Sequence, residues 1–155
     1  MERIDRERIH EILISTARFT EEEVGWAMAQ VDEAIELPDK KDYIVHVLED
    51  ESAVQGYVCF GPTPKTVDVW DLYWIAVDPK QQGQGIGAML LQFVETQVRA
   101  RNGRMLLIET SSKPSYRPTV RFYEHNGYSE ITRIKDFYRV KDDKIVFSKS
   151  LRNEN

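Results

Sequence analysis

The stretch "QQGQGIGAML" (residues 81–90) places three glycines at alternate positions and then becomes apolar. The pattern continues through "GIGAMLLQFVETQVRAR" (residues 85–101), where apolar residues at helical spacing predict an amphipathic helix that ends at Asn102 and Gly103. A helix N-terminus offers unpaired backbone amides and the positive end of its dipole, and glycines admit a ligand close to that backbone. The stretch therefore predicts a phosphate or pyrophosphate site at the start of a helix.

Other interpretations of the glycines remain open. The simplest is a turn that needs glycines only for its conformation. A dinucleotide site is another, because Gly83, Gly85 and Ala88 fit the pattern G-x-G-x-x-A and Glu109 stands where that fingerprint expects a ribose-binding acid. Against it, residues 78–82 separate the glycines from the preceding strand, whereas a dinucleotide turn follows its strand directly. A Walker-type loop is excluded because no Gly-Lys-Ser/Thr follows at the required spacing.

The sequence on either side predicts an α/β fold. Two amphipathic helices, Arg6–Phe19 and Glu21–Leu37, come first, and Thr20 with Glu23 forms a capping-box pattern before the second. Strands are predicted at 43–49, 53–61, 67–77, 104–110, 128–138 and 144–151, with an irregular stretch at 111–118 and a short helix at 119–126. The helical crossover between 67–77 and 104–110 predicts one parallel pair in a mixed, mostly antiparallel sheet with about four helices.

Composition limits the classes of function. The chain has 155 residues, 41% of them hydrophobic and 30% charged, so we expect a single domain over residues 1–155. No membrane-crossing run or leader pattern is present, which favours a cytoplasmic location without a membrane partner. The net charge of −5 argues against nucleic-acid binding. Cys59 is the only cysteine, which excludes an intrachain disulfide and a multi-thiolate metal site; we expect it to be buried, and we expect no metal.

Two motifs together resemble the GNAT superfamily of acyl-CoA-dependent N-acyltransferases. Gln82, Gly85 and Gly87 match its signature of Gln or Arg, two residues, Gly, one residue, and Gly or Ala. The stretch "FYEHNGY" (residues 122–128) matches its aromatic-Tyr pair followed by Gly and an aromatic residue. Each motif alone is modest, but both occur in the expected strand, helix, strand, helix order. The resemblance implies a GNAT-like fold in which the central parallel strands are splayed.

The resemblance also implies a cosubstrate, acetyl-CoA, and a reaction. An acetyl group would pass to a primary amine of a small molecule or peptide by direct attack in a ternary complex. The pantetheine arm would pair with the strand backbone at Ile75, Ala76 and Val77, and the pyrophosphate would lie on the glycine loop. The implied pyrophosphate-binding residues are Gln82, Gly83, Gln84, Gly85, Ile86, Gly87 and Ala88.

N-acylation needs an uncharged amine, stabilisation of an oxyanion and a proton for the departing thiolate. Tyr123 matches the family tyrosine that lies near the cofactor sulfur, so the resemblance makes it the candidate acid and a cofactor contact. A purely packing role is its alternative. Because Phe122 and Tyr123 are about 100° apart on a helix, one can fill the core while the other faces the cleft.

Two carboxylates are candidates for the base, and either could instead be a solvated strand-end charge. Strand alternation predicts that Asp71 shares a face with Tyr73, Ile75 and Val77. Glu109 lies near the end of the next strand, where the two strands should part, and is slightly favoured. Partial burial would raise the pKa of either carboxylate. The histidines His46 and His125 rank lower, because a lone histidine is more often simply hydrogen-bonded.

The acceptor is the least determined part of the sequence. Many relatives have an asparagine seven residues before the helical tyrosine, and here that position is Tyr116. The acidic positions of the second helix could attract a cationic acceptor or simply form a solvated face: Glu21, Glu22, Glu23, Asp32, Glu33 and Glu36. Two other functions stay open, a catalytically silent acyl-CoA-binding regulator and a nicotinamide-dependent oxidoreductase. Exposed strand edges near the C-terminal end could also pair two copies into a homodimer.

Overall fold

The computed structural model describes residues 3–152, and within that range four α-helices surround a six-stranded mixed sheet. The helices are α1 (Arg3–Ser15), α2 (Glu21–Glu36), α3 (Ile86–Ala100) and α4 (Arg117–His125). The strands are β1 (Ile44–Glu49), β2 (Val54–Pro62), β3 (Val69–Val77), β4 (Met105–Ser111), β5 (Ser129–Arg139) and β6 (Asp142–Ser150). Their order is β1-β2-β3-β4-β6-β5, and β3 with β4 is the parallel pair. The predicted α/β fold is confirmed.

The boundaries of two helices, α1 and α4, differ most from the sequence prediction. The first helix ends at Ser15 rather than Phe19, and Ala17 beyond it takes a left-handed φ of 54°. The stretch predicted to be irregular contains a short 3-10 turn, Pro114–Tyr116, and α4 begins directly after it. The capping box is confirmed, because the Thr20 hydroxyl accepts from the Glu23 amide at 3.1 Å while the Thr20 amide donates to the Glu23 carboxylate at 2.7 Å.

The sheet separates two hydrophobic cores. One lies under α3 and α4, and the other lies under α1 and α2. Strand β2 contributes to both by strict alternation: Tyr57 and Cys59 face α1 and α2, and Val58 and Phe60 face α3 and α4. Burial raises the pKa of the Cys59 thiol to about 12, as expected for a packing residue. No helix in residues 3–152 is both long and apolar enough to cross a membrane.

A β-bulge changes the alternation of β3. Leu72 pairs with Phe60 and Trp74 pairs with Cys59, so Tyr73 is an extra residue without a counterpart on β2. As a result, Leu72 before the bulge and Ile75 after it both pack against the α3 and α4 core, while Tyr73 packs against the other core. The prediction that Asp71 shares a face with Ile75 and Val77 is therefore wrong. Asp71 shares the face of α1 and α2 with Tyr73, whereas Ile75 and Val77 lie on the opposite face because the extra residue Tyr73 shifts the alternation.

The parallel pair separates halfway along its length. Strands β3 and β4 pair from Val69 with Met105 to Leu72 with Ile108. Beyond that point residues 74–77 pair with β2 only, the bulge residue Tyr73 pairs with neither neighbouring strand, and residues 109–111 pair with β6 only. The expected splayed pair is thus present, and it leaves one edge of the second half of β3 without a neighbouring strand.

Candidate active site

A cavity of about 1610 Å³ opens where β3 and β4 part. Six parts of the chain contribute to its wall: the loop between α1 and α2, the beginning of α2, the second half of β3, the glycine loop with the first turn of α3, the region from the end of β4 to α4, and the turn between β5 and β6. The predicted pantetheine contacts Ile75, Ala76 and Val77 all line it. The cavity therefore meets both the open edge of β3 and the N-terminus of α3.

The glycine loop presents open backbone to this cavity. Gly83 and Gly85 have φ angles of 81° and 79°, a left-handed conformation that favours glycine. A Cβ atom built at either position meets nothing within 4 Å, so free space lies next to this backbone. Gly87 serves another purpose, because a Cβ there would lie 3.3 Å from the Phe122 ring. The glycines thus combine a special turn with close helix packing.

Most of the predicted pyrophosphate residues lie at the cavity. Its lining includes Gln82, Gly83, Gly85, Ile86, Gly87 and Ala88 but not Gln84, which is exposed. The approach to the loop is fixed by Asp78, whose carboxylate accepts from the Lys80 amide at 3.0 Å and is also paired with Arg8. These contacts stabilise the charged carboxylate, so the pKa of Asp78 is lowered. The loop is therefore anchored to both β3 and α1.

Tyr123 lines the cavity and is almost completely buried. Its ring packs against Phe122, Tyr128 and Phe147, with centroid distances of 5.4, 6.1 and 6.0 Å. Burial raises the pKa of the Tyr123 phenol well above its ordinary value. The side chain is thus held rigidly as a neutral phenol that keeps its proton at neutral pH. It combines the packing role with a position at the cavity, so the two predicted roles do not exclude each other.

Asp71 also lines the cavity and is about half buried. Its carboxylate accepts a hydrogen bond from the Thr63 hydroxyl at 2.8 Å. Burial raises the pKa of Asp71, and the nearby charge of Glu109 raises it further, while Thr63 and Lys144 act in the opposite direction. A carboxylate with a raised pKa is a better proton acceptor than an ordinary aspartate.

Glu109 lies at the cavity in a different electrostatic setting. Its side chain is half exposed, and its carboxylate forms an ion pair with Lys144 at 3.1 Å. The Lys144 ammonium also lies 4.7 Å from the centre of the Phe137 ring, so it contacts both a carboxylate and an aromatic ring. Glu109, which the sequence slightly favours as the base, therefore has a cationic partner, and Asp71 has a neutral hydroxyl as its hydrogen-bond partner.

The two histidine alternatives have different surroundings. His46 lies between the rings of Phe60 and Phe93 in the core under α3, and burial lowers its pKa. It is a packing residue. His125 lines the cavity at the end of α4, and it is exposed.

The predicted acidic face of α2 is divided by the structure. Glu21, Glu22 and Glu23 line the cavity. Farther along the helix, Asp32 pairs with Arg6 and Glu33 pairs with Lys40. Only the first turn of the helix therefore contributes negative charge to the cavity.

Sequence reasoning missed several lining residues on the α1 and α2 side. Trp26 is 57% exposed and Tyr138 is 46% exposed, although both are large and aromatic. The signal for Trp26 was available, because it lies outside the apolar stripe of α2. Tyr116, which replaces the asparagine of many relatives, donates from its hydroxyl to the Arg18 carbonyl at 3.1 Å. This contact ties the loop between α1 and α2 to the segment before α4.

No cluster of three or more His, Cys, Asp or Glu side chains suited to a metal ion occurs within residues 3–152. The dinucleotide interpretation also lacks its framework, since the described sheet has one parallel pair rather than a repeated strand-helix-strand unit.

The fold and the cavity define the acyltransferase class, with a glycine loop at a helix N-terminus beside a splayed strand pair. A model of the acetyltransferase (GNAT) domain matches residues 41–130. The chain therefore belongs to the GNAT acetyltransferase family.

Relatives agree with this assignment. A crystal structure assigned to the same family, from Desulfovibrio desulfuricans, is 39% identical, covers 97% of this chain and 95% of its own, and has a TM-score of 0.95. The [ribosomal protein bS18]-alanine N-acetyltransferase of Escherichia coli is 31% identical over 54% of this chain and 55% of its own length. The S-(2-succino)cysteine N-acetyltransferase of Bacillus subtilis is 23% identical over 68% of this chain and 66% of its own. The aligned stretches thus span between about half and two thirds of these two enzymes.

Proposed function

We propose that this protein transfers an acetyl group from acetyl-CoA to a primary amine of a small molecule or peptide, by direct attack in a ternary complex. The observation that carries the proposal is the separation of β3 from β4 beside the glycine loop. It places an unpaired strand edge, an open left-handed backbone and a helix N-terminus around one cavity. These three features suit a ligand with an amide-bearing arm and a pyrophosphate.

The residues toward coenzyme A divide by chemistry. Ile75, Ala76 and Val77 offer backbone groups to the pantetheine amides, and the cavity-lining loop residues offer amides to the phosphates. The dipole of α3 adds positive potential at the same place. Acetyl-CoA supplies a thioester, which is the activated acyl group of the reaction.

Three groups of the protein serve the transfer. The amine nitrogen attacks the thioester carbon, and the carbon–sulfur bond then breaks. In this proposal Asp71 accepts the proton that the amine loses, with Glu109 as the other candidate, and Tyr123 donates a proton to the departing thiolate. The raised pKa of Asp71 supports its assignment as the base, because it lies closer to neutral pH than the pKa of a solvated aspartate.

Thermal unfolding with added ligands tests the cosubstrate. Coenzyme A and acetyl-CoA should raise the unfolding temperature by several degrees at saturating concentration, because a ligand at 100 times its Kd stabilises by about 2.7 kcal/mol. NAD and ATP should not. Stabilisation by NAD alone would favour a nicotinamide-dependent oxidoreductase, and no response to coenzyme A would contradict the proposal.

A panel of amines tests catalysis. With acetyl-CoA present, free thiol should appear only when a suitable amine is added, in equal amount to the acetylated product. Binding of acetyl-CoA without thiol release for any amine would favour the alternative of a catalytically silent regulator. The panel should contain monoamines, diamines, aminoglycosides and peptides with free N-termini.

The negative lining favours a cationic acceptor within this panel. Glu21, Glu22 and Glu23 line the same cavity as Asp71.

We propose further that residues 1–155 act as one domain in the cytoplasm, and that β5, an edge strand with exposed apolar side chains, can join two copies into a homodimer. Size-exclusion chromatography with light scattering tests the dimer.

A further inference from the structure

We infer that Lys144 is a positioning residue for two carboxylates: it holds Glu109 in an ion pair, and its charge opposes that of Glu109 so that Asp71 stays ionised and can accept the proton of the acceptor amine. This inference rests on the proposed function, in which a carboxylate at the strand separation acts as base. It adds a residue on β6 that neither family motif contains.

The sheet register brings the three side chains together on one face. Asp71 lies opposite Leu107 in the parallel pair, and Glu109 is two residues farther along β4, on the same face as Leu107. On the other side of β4, Lys144 of β6 pairs with Ser111. Glu109 pairs with Val146, which is two residues from Lys144 and therefore on the same face. Lys144 thus reaches Glu109 diagonally across the β4–β6 pair.

Lys144 is built into this place rather than free in solvent. Its side chain is 18% exposed, its ammonium lies 3.1 Å from Glu109, and the Phe137 ring of β5 lies 4.7 Å from it. Asp71, by contrast, has no ion-pair partner within 4.0 Å among residues 3–152 and is held by the neutral Thr63 hydroxyl. Glu109 is therefore paired with a cation, and Asp71 is free of an ion pair within the described part of the chain and can accept a proton.

The charged and titratable groups around Asp71 come from several elements. Thr63 approaches from the end of β2, Tyr73 from β3, Glu109 from β4 and Lys144 from β6. Tyr138 of β5 lies nearby as well: burial raises its pKa, and the charges of Glu109, Asp142 and Glu23 of α2 raise it further. Among these, Lys144 is the group whose positive charge opposes protonation of Asp71.

The direction of the effect follows from these charges. Removing the ammonium with Lys144→Met leaves two carboxylates facing each other, so Asp71 should bind a proton more readily and titrate at higher pH. Removing the opposing carboxylate with Glu109→Gln should make Asp71 titrate at lower pH. Lys144→Arg keeps the charge and should behave as the wild type.

Carboxyl ¹³C NMR titration of the full chain tests the inference without any amine. We expect the Asp71 midpoint to rise by about half a pH unit or more in Lys144→Met, to fall in Glu109→Gln and to stay in place in Lys144→Arg. Lys135→Met, at an exposed lysine of β5 outside the cavity lining, is the matched control and should leave the midpoint unchanged. Equal midpoints in wild type and Lys144→Met, or the same rise in Lys135→Met, would overturn the inference.

The kinetic readout uses the amine found in the panel. The acidic limb of the pH profile of kcat/KM should move to higher pH in Lys144→Met and to lower pH in Glu109→Gln, in step with the NMR midpoints. NMR shifts with unmoved kinetic limbs would overturn the assignment of Asp71 as the base. If no amine reacts, the proposed function fails while the NMR result still stands or falls by itself. Should Lys144→Met not fold, Lys144→Gln, which also removes the charge but keeps a polar side chain, gives the same test, with the same rise expected.

Discussion

Asp71 and Tyr123 lie on opposite faces of the central sheet, and both line the cavity at the point where β3 and β4 part. Tyr123 packs in the core under α3 and α4, and Asp71 lies on the face of α1 and α2. A proton acceptor and a proton donor can meet the same substrate only because the strands separate there. The glycine loop lies on the same face of the sheet as Tyr123. The proposal therefore assigns acetyl-CoA to that face and the acceptor amine to the face of Asp71.

Tyr123→Phe should lower kcat about 100-fold or more while leaving the affinity for acetyl-CoA nearly unchanged. The reason is that general acid catalysis contributes about 10²- to 10⁴-fold, and the phenylalanine ring retains the packing against Phe122, Tyr128 and Phe147. Steady-state kinetics with the acceptor amine and calorimetric titration with coenzyme A provide the two measurements.

Tyr128→Phe is the matched control for that experiment. The Tyr128 hydroxyl donates to the buried Glu95 carboxylate at 2.9 Å and lies outside the cavity lining. This variant should lose about 1 to 3 kcal/mol of unfolding free energy and keep kcat within a few-fold. An equal loss of kcat in both variants would mean that the Tyr123 effect comes from packing.

Asp71→Asn should change stability in a pH-dependent way. Burial raises the folded-state pKa of Asp71 above its ordinary value of 3.8. At a pH between 3.8 and the folded-state pKa, the folded protein therefore binds more protons than the unfolded chain. Stability therefore falls as pH rises through that window, and the loss is complete at neutral pH. Asparagine carries no charge and can still accept from Thr63.

Thermal unfolding across pH measures this effect. At about pH 7 the Asp71→Asn variant should unfold at the wild-type temperature or above it, and the difference should vanish below about pH 3.8. A variant less stable than wild type at neutral pH, with the gap closing as pH falls, would mean that the carboxylate is stabilised by folding. The same variant should lose about 100-fold or more in kcat/KM.

Periodic patterns predicted the helices, the strands and the parallel crossover, because each depends on local spacing of apolar residues. The glycine loop was predictable for the same reason, since its residue types are contiguous. The face of Asp71 was predicted wrongly, because a single bulge residue, Tyr73, has no sequence signature of its own. The contacts of Thr63 and Lys144 with the two carboxylates were not predictable either, since each reaches a residue of another strand and depends on the register of the sheet.

Gly85→Ala should weaken coenzyme A binding and destabilise the fold by about 1 to 2 kcal/mol, because Gly85 has a φ of 79° that an alanine adopts only with strain. Gly25→Ala is the matched control. Gly25 lies inside α2 with open space around its Cα, so alanine there should raise stability by about 0.5 to 1 kcal/mol without affecting coenzyme A. Denaturant unfolding and calorimetric titration measure both effects; unchanged coenzyme A affinity in Gly85→Ala would argue against the loop as the phosphate site.

Lys149→Met should destabilise the fold by about 3 kcal/mol. Lys149 donates to the buried Glu95 carboxylate at 3.0 Å and to the Asn126 carbonyl at 2.9 Å, so its loss leaves a buried charge without its closest cation. Neither Lys149 nor Glu95 lines the cavity, although the backbone partner Asn126 does, so the folded fraction should keep its kcat within a few-fold. Urea unfolding measures the loss, and a stability equal to wild type would show that Tyr128 and Arg99 satisfy Glu95 without Lys149.

Hydrogen exchange read by mass spectrometry, with and without acetyl-CoA, locates the acyl-donor site directly. Binding should slow exchange in two segments, the open half of β3 at residues 73–77 and the loop and first turn of α3 at residues 83–88, because an added strand-like arm and a pyrophosphate would occupy their amides. Peptides from β1 and from residues 129–134 of β5, which lie outside the cavity lining, should exchange as before. Protection confined to other segments, or none at a concentration that raises the unfolding temperature, would contradict the assignment of the strand separation as the acetyl-CoA site.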